Sequence, residues 1–257
     1  MRRLLPALLG PLLLLLLWEG FCRLTQPPPY LLPSPTLIWA ALQDTWPVLL
    51  ASAGTTFLVA LKGLAIAVIL SLILAAALSL SPFAERMVRP LAIALSVTPV
   101  VAIAPLLVVW AGLDHAGRAT VALAAIVAFY PVFSGALTGL KAADPNLERL
   151  FSLYGASPLQ RLARLRAPSA VPHLIEGVRV SANLAVVGAV VAEFVSGSGA
   201  HQGLAFRILE AGNRLRTAEM FGALLVLTLL GLALNLVLQR LERSAFAFWK
   251  GSALGRD

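Results

Sequence analysis

Long unbroken apolar runs, separated by short polar punctuation, dominate this chain, and that pattern predicts helices that cross a membrane. A helix rises about 1.5 Å per residue, so crossing a hydrocarbon core of ~30 Å takes about 20 residues. Six stretches meet or approach that length: Leu4 to Phe21, Gly54 to Leu80, Leu91 to Ala111, Ala119 to Leu140, Gly177 to Val195 and Ala218 to Leu238. Leu- and Ala-rich runs satisfy their backbone within a single helix, whereas the short alternating segments of a membrane β-barrel are absent from the sequence. The predicted fold class is an all-α membrane protein with about six transmembrane helices.

Between these runs three connections are longer than turns. The segment from Cys22 to Ala53 holds Pro27, Pro28, Pro29, Pro33 and Pro35, which block a continuous helix. Within the same segment a short amphipathic helix is predicted over Pro35 to Leu42. Ser196 to Ala200 is read as a flexible exit, followed by a helix over Leu204 to Leu215 resting on the outer face. The third connection, Lys141 to Glu176, is the most polar. Residues 1–53 thus form a first helix with an external Pro-rich segment, 54–240 the membrane core with the loop 141–176, and 241–257 a tail.

Composition narrows the function classes. With 59% hydrophobic residues, a mean hydropathy of +0.87 and only 12% charged residues, against about 25% charged in soluble domains, the chain is no soluble enzyme, disordered segment or nucleic-acid module. The net charge of +8 reports topology, because Lys and Arg are retained on the cytoplasmic side. With the N-terminus inside, the inner segments hold thirteen of the 20 Lys and Arg residues, the outer ones five, and Lys62 and Arg179 fall within spans. Both termini are therefore predicted to be cytoplasmic. The first apolar run is read as a retained helix, because Trp18 to Cys22 offers no small-residue cleavage site. Cys22 is the only cysteine, which excludes an intramolecular disulfide and a multi-cysteine metal site.

The loop 141–176 carries the most chemical information. Asp144 and Pro145 start a helix, since the Asp side chain can cap free N–H groups and Pro suits the first helical position. Leu147, Leu150, Phe151 and Tyr154 then recur at helical spacing. Gly155 breaks this helix, Ser157 and Pro158 start another, and Pro168 is predicted to stop it. The apolar stripe can pack on the chain's own spans or meet a partner, and the pattern leaves both open. At membrane depth lie Thr98, Asn183, Glu193 and Asn235, where an uncompensated polar group is costly and faces protein or water. Glu193 is a pathway residue or an interfacial acid paired with an outer arginine. Pro99 and Pro105 are expected to bring local kinks that shape a gate or serve packing.

Two rival functions follow from the same composition. An ion-coupled transporter or channel needs a relay of buried ionisable groups, and the spans offer few. A membrane-embedded enzyme needs a convergent set, yet His115, His173 and His201 fall on separate loops. The chain has no Gly-x-x-x-x-Gly-Lys-Ser/Thr loop to cradle phosphates, so it is not expected to hydrolyse ATP.

Gly155, nine residues, then Leu165, Arg166, Ala167 and Pro168 resemble the cytoplasmic loop signature of ABC-transporter permeases, Glu-Ala-Ala, three residues, Gly, nine residues, Ile, one residue, Leu-Pro. The family's Glu falls on Arg149 with a displaced acid at Glu148, and its alanines fall on Leu150 and Phe151. Leu32-Pro33-Ser34-Pro35, Pro99, Ala104-Pro105-Leu106, Ala143-Asp144-Pro145, Tyr154-Gly155-Ala156-Ser157, Gly177-Val178-Arg179 and Ala192-Glu193 resemble, in order, segments of permeases of the nitrate, sulfonate and taurine type. The resemblance implies a type I ABC importer permease core in the cell inner membrane, working as a homodimer with a pair of cytoplasmic ATPases and an external solute-binding protein. Under it, Glu148, Arg149, Leu150, Phe151, Tyr154, Gly155, Ala156, Ser157 and Pro168 couple to the ATPase, with Phe151 and Tyr154 as anchors. Thr98, Pro99, Asn183 and Glu193 are the candidates for the translocation path. No cofactor is expected in this chain, since ATP and Mg would be bound by the partner ATPase, and no nucleic-acid partner is expected. The implied solutes are oxyanions, sulfonates and taurine, or thiamine pyrimidine precursors, which the segment Gly203 to Gly212 resembles more.

Overall fold

The computed structural model describes residues 5–112, 116–196 and 202–254, and among them regular structure is helical throughout. In chain order the helices are α1 (Leu5–Thr25), α2 (Pro35–Ser79), α3 (Pro82–Val97), α4 (Val100–Ala111), α5 (Ala116–Lys141), α6 (Pro145–Leu153), α7 (Pro158–Arg161), α8 (Ala167–Ser196), α9 (Leu204–Asn213) and α10 (Thr217–Leu254). A π-helical turn, Leu162–Arg166, joins α7 to α8. Among the described residues four helices are long and apolar enough to cross a membrane, or five if the bent pair α3 and α4 counts as one span. The 21-residue α1 is the remaining stretch of the six read from the sequence.

Helix boundaries near the prolines differ from expectation in several places. The short helix expected over Pro35 to Leu42 and the span from Gly54 are one continuous helix of 45 residues, and Pro47 lies inside it. Its start is fixed from outside: the Glu19 carboxylate of α1 accepts bonds from the Thr36 N–H and hydroxyl, both at 3.1 Å, and the Ser34 hydroxyl accepts from Leu37 N–H at 3.3 Å. These contacts satisfy donors that a first turn leaves open. Conversely, the single span expected over Leu91 to Ala111 is two helices bent by 99° at Thr98 and Pro99. Pro99 has no N–H and disfavours helical geometry in the residue before it, and Thr98 is extended at φ −65°, ψ 128°. Pro105, expected to kink the same span, lies inside an unbroken α4. Nor does Pro168 end a helix. The N–H of Ala167 bonds the carbonyl of Leu162, five residues back, and Pro168 sits where the ladder returns to the α pattern.

Contacts divide the chain into two units, to both of which α2 and α10 contribute. One comprises Met1–Thr55 and His201–Leu229. In it Trp18 meets Phe221 edge to face at 5.5 Å, Gly222 lies against Leu42, and the Thr217 hydroxyl donates to the Tyr30 carbonyl at 2.6 Å. The other comprises Thr56–Ala200 and Leu230–Asp257. Its centre is the seam between α5 and α8, where small residues bring two backbones together. A Cβ added to Gly139 would stand 2.7 Å from Ala170 Cα, and one added to Gly177 2.7 Å from the Pro131 carbonyl oxygen. Lipid removes the hydrophobic drive between helices, so close packing of this kind is what holds them. Around the seam, Ala75, Leu78, Ala92, Phe133, Ala136, Leu137, Leu140 and Ala170 form a core, with Phe129 stacked on Phe133 at 5.5 Å. Glu85 of α3 is buried there and pairs with Lys141 at the end of α5 and, at 3.8 Å, with Arg89.

Candidate functional site

The helix, turn and helix expected between spans is present as a hairpin built largely from local hydrogen bonds. Asp144 caps α6 by accepting from Asn146 N–H at 2.8 Å, and Pro145 holds the first helical position. Gly155 ends the helix at φ +68°, a left-handed conformation that side chains other than glycine rarely adopt. The N–H of Ala156 then returns to the Phe151 carbonyl at 2.9 Å, closing the turn. Ser157 and Gln160 form a reciprocal capping box at the start of α7. Arg161 staples the two arms, donating to the Ala156 carbonyl and to the Ser152 hydroxyl, each at 3.1 Å.

That frame holds an apolar tip in the open. Leu153 is 84% exposed and Tyr154 83%, beside exposed Leu147, Leu150 and Leu159. Phe151 and Ala156 are half-buried, whereas Arg149 and Pro168 are exposed. Leu153 was missed in the sequence, because it lies off the stripe of Leu147, Leu150, Phe151 and Tyr154; only the turn geometry at Gly155 shows that it stands at the end of the arm. Glu148 is not at the tip. It pairs with Arg166 at 2.6 Å, and Arg166 also donates to the Ser79 carbonyl at 3.0 Å.

The membrane-depth candidates are not one cluster of a single kind. Thr98 and Pro99 are exposed at the bend between α3 and α4, where the Thr98 hydroxyl is satisfied by the Ala94 carbonyl at 2.8 Å. Asn183 is exposed on α8. Glu193 is 3% exposed and accepts a bond from the Thr56 hydroxyl of α2 at 2.8 Å. Neither sequence reading of Glu193 anticipated Thr56, which carried no signal among neighbouring small polar residues. A buried carboxylate with a hydroxyl partner at this depth makes a helix contact expensive to break. Replacing Glu193 with Ala is therefore expected to cost about 1–3 kcal/mol, read as a lowered thermal unfolding midpoint in detergent.

Other charged residues have partners of their own. Arg179, which the sequence places within a span, pairs with Glu242 at 3.4 Å. Arg207 of α9 donates to Ser52 at 3.2 Å, to Glu210 at 2.8 Å and to Gln202 at 2.6 Å, along a cleft of about 180 Å³. The expected exit Ser196 to Ala200, apart from Ser196, and both His115 and His201 lie outside the described residues.

Three comparisons bear on this arrangement. The sequence model of a family described as binding-protein-dependent transport system inner membrane component matches residues 67–244. The chain is 30% identical to the formylaminopyrimidine transport permease protein ThiX of Halalkalibacterium halodurans, over 90% of each chain. It is 35% identical to the riboflavin transport system permease protein RibX of Chloroflexus aurantiacus, over 90% of this chain and 85% of that one. Among solved structures, a chain of the inward-facing MetNI methionine ABC transporter shares its fold, with a TM-score of 0.57 at 17% identity, covering 82% of this chain and 98% of that one.

Proposed function

The chain belongs to the family of binding-protein-dependent transport system inner membrane components, and from that membership we propose that it is the membrane half of an ATP-driven importer of a small nitrogen heterocycle. ThiX and RibX, named for a formylaminopyrimidine and for riboflavin, match over nine-tenths of this chain and support a heterocyclic solute over an oxyanion or sulfonate. In this reading two copies enclose the path, a pair of ATPases docks on the cytoplasmic side, and an external binding protein delivers the solute.

The observation that carries the coupling role is the exposed apolar tip at Leu153 and Tyr154. A rigid, capped arm ending in a leucine and a tyrosine suits insertion into an apolar groove, and a groove that shifts when nucleotide binds would move the arm with it. The bend at Thr98 and Pro99 supplies a break in a span at which the path can open and close. ATP and Mg stay with the ATPase, and this chain contributes the lever and the path.

Reconstitution tests the function directly. Vesicles holding this chain, its co-purifying ATPase and the binding protein are expected to accumulate labelled formylaminopyrimidine or riboflavin only with ATP inside. Accumulation that ignores ATP and follows an ion gradient would instead establish the secondary-transporter alternative.

A further inference from the structure

The tip is exposed, whereas at the root of the hairpin Leu165 is buried, Leu162 packs on the core and one arginine bonds two other elements. Arg166 ends the π-helical turn, and its guanidinium reaches two separate elements: Nε donates to Glu148 of α6 at 2.6 Å and Nη1 to the carbonyl of Ser79 at the end of α2 at 3.0 Å. Arg166 and Glu148 are each about a quarter exposed, so water screens the pair only in part. The Ser79 carbonyl is one of those that a helix C-terminus leaves open, and a cation is favoured there. The planar fork of arginine can serve both acceptors at once, which an ammonium cannot do with fixed direction. The π turn aims it, since one residue fewer in the turn would swing the side chain at 166 by about 100°.

We infer that Arg166 is a positioning residue that locks α6 of the hairpin, just before the start of α8, to the end of α2, so that a push on the tip reaches both spans together. The inference rests on the coupling role proposed above. The tip residues Leu153 and Tyr154 are not among the partners of Arg166, which are Glu148 and Ser79. The charged pair also accounts for the displaced acid: Glu148, one residue before the position where the resembling loop pattern has its Glu, faces inward toward Arg166.

The test compares wild type, R166Q and R166K in the assembled transporter in vesicles, reading retained ATPase, ATP hydrolysis and solute moved per ATP. R166Q is expected to keep its ATPase and to hydrolyse ATP, but to move about tenfold less solute per ATP, as loss of a partly buried charge-assisted pair predicts. R166K, keeping the charge but not the fork, is expected to fall between. A wild-type ratio in R166Q overturns the inference and leaves the coupling role standing, as does loss of the ATPase from R166Q alone, which would make Arg166 part of the docking surface. Wild type that binds no ATPase sinks the coupling role itself. Should R166Q fail to accumulate, E148A, which removes the acceptor on α6 and leaves the bond to Ser79, supplies the same reading: a reduced ratio supports the lock and an unchanged one overturns it.

Discussion

A chain carrying both Leu153→Asp and Tyr154→Asp is expected to fold and insert as wild type does, yet to lose ATP-driven import by about a thousandfold. Both side chains are more than four-fifths exposed, so the replacements remove almost no packing within the subunit. Against a partner the effect is large. Central leucine and aromatic anchors of an interface are each worth about 2 kcal/mol or more, and two together, about 4 kcal/mol, correspond to roughly a thousandfold in association. Introduced carboxylates add a desolvation cost to the lost contacts. Monodispersity and the unfolding midpoint in detergent check the fold, and uptake in vesicles checks the loss. Normal uptake would remove the tip from the coupling surface.

The second large effect concerns the fold. Gly177→Leu and Gly139→Leu are each expected to abolish accumulation of folded protein in the membrane, with a cost of about 3 kcal/mol or more. At Gly177 even a Cβ would lie 2.7 Å from the Pro131 carbonyl oxygen, and at Gly139 2.7 Å from Ala170 Cα. Both obstacles are backbone atoms, so no side chain can rotate away and α5 must separate from α8. Gly231→Leu is the control, since nothing lies within 4 Å of the Cβ built there. Expression as a fluorescent fusion, followed by resistance to unfolding in detergent, separates the three variants. Wild-type stability of Gly177→Leu would show that the seam is looser than the structure makes it.

How far the sequence could go depended on the range of the interaction concerned. The apolar runs named the spans, because span length follows from the thickness of the bilayer and needs no tertiary information. The hairpin was legible for a similar reason: Asp144, Pro145, Gly155, Ser157 and Pro158 act on their own neighbours. Prolines were read less well. Pro99 breaks its span as expected, while Pro105, expected to kink the same span, lies inside an unbroken helix. Long-range pairs were not legible at all. Nothing near Thr56, Ser79 or Glu85 announces that their partners are Glu193, Arg166 and Lys141, which become neighbours only once α2, α3, α5 and α8 pack. The tip residue Leu153 belongs with these cases, since its exposure follows from the turn rather than from helical spacing.

The proposed coupling seats the tip of the hairpin in the ATPase. Cys22 is the chain's only cysteine, so a Cys22→Ala background carrying Leu153→Cys offers one labelled position. With a short bifunctional crosslinker in the assembled, transporting complex, that position is predicted to join to the ATPase, with a yield that changes when nucleotide is added. Crosslinking to lipid or to another copy of this chain alone, in a complex that still transports, would contradict it.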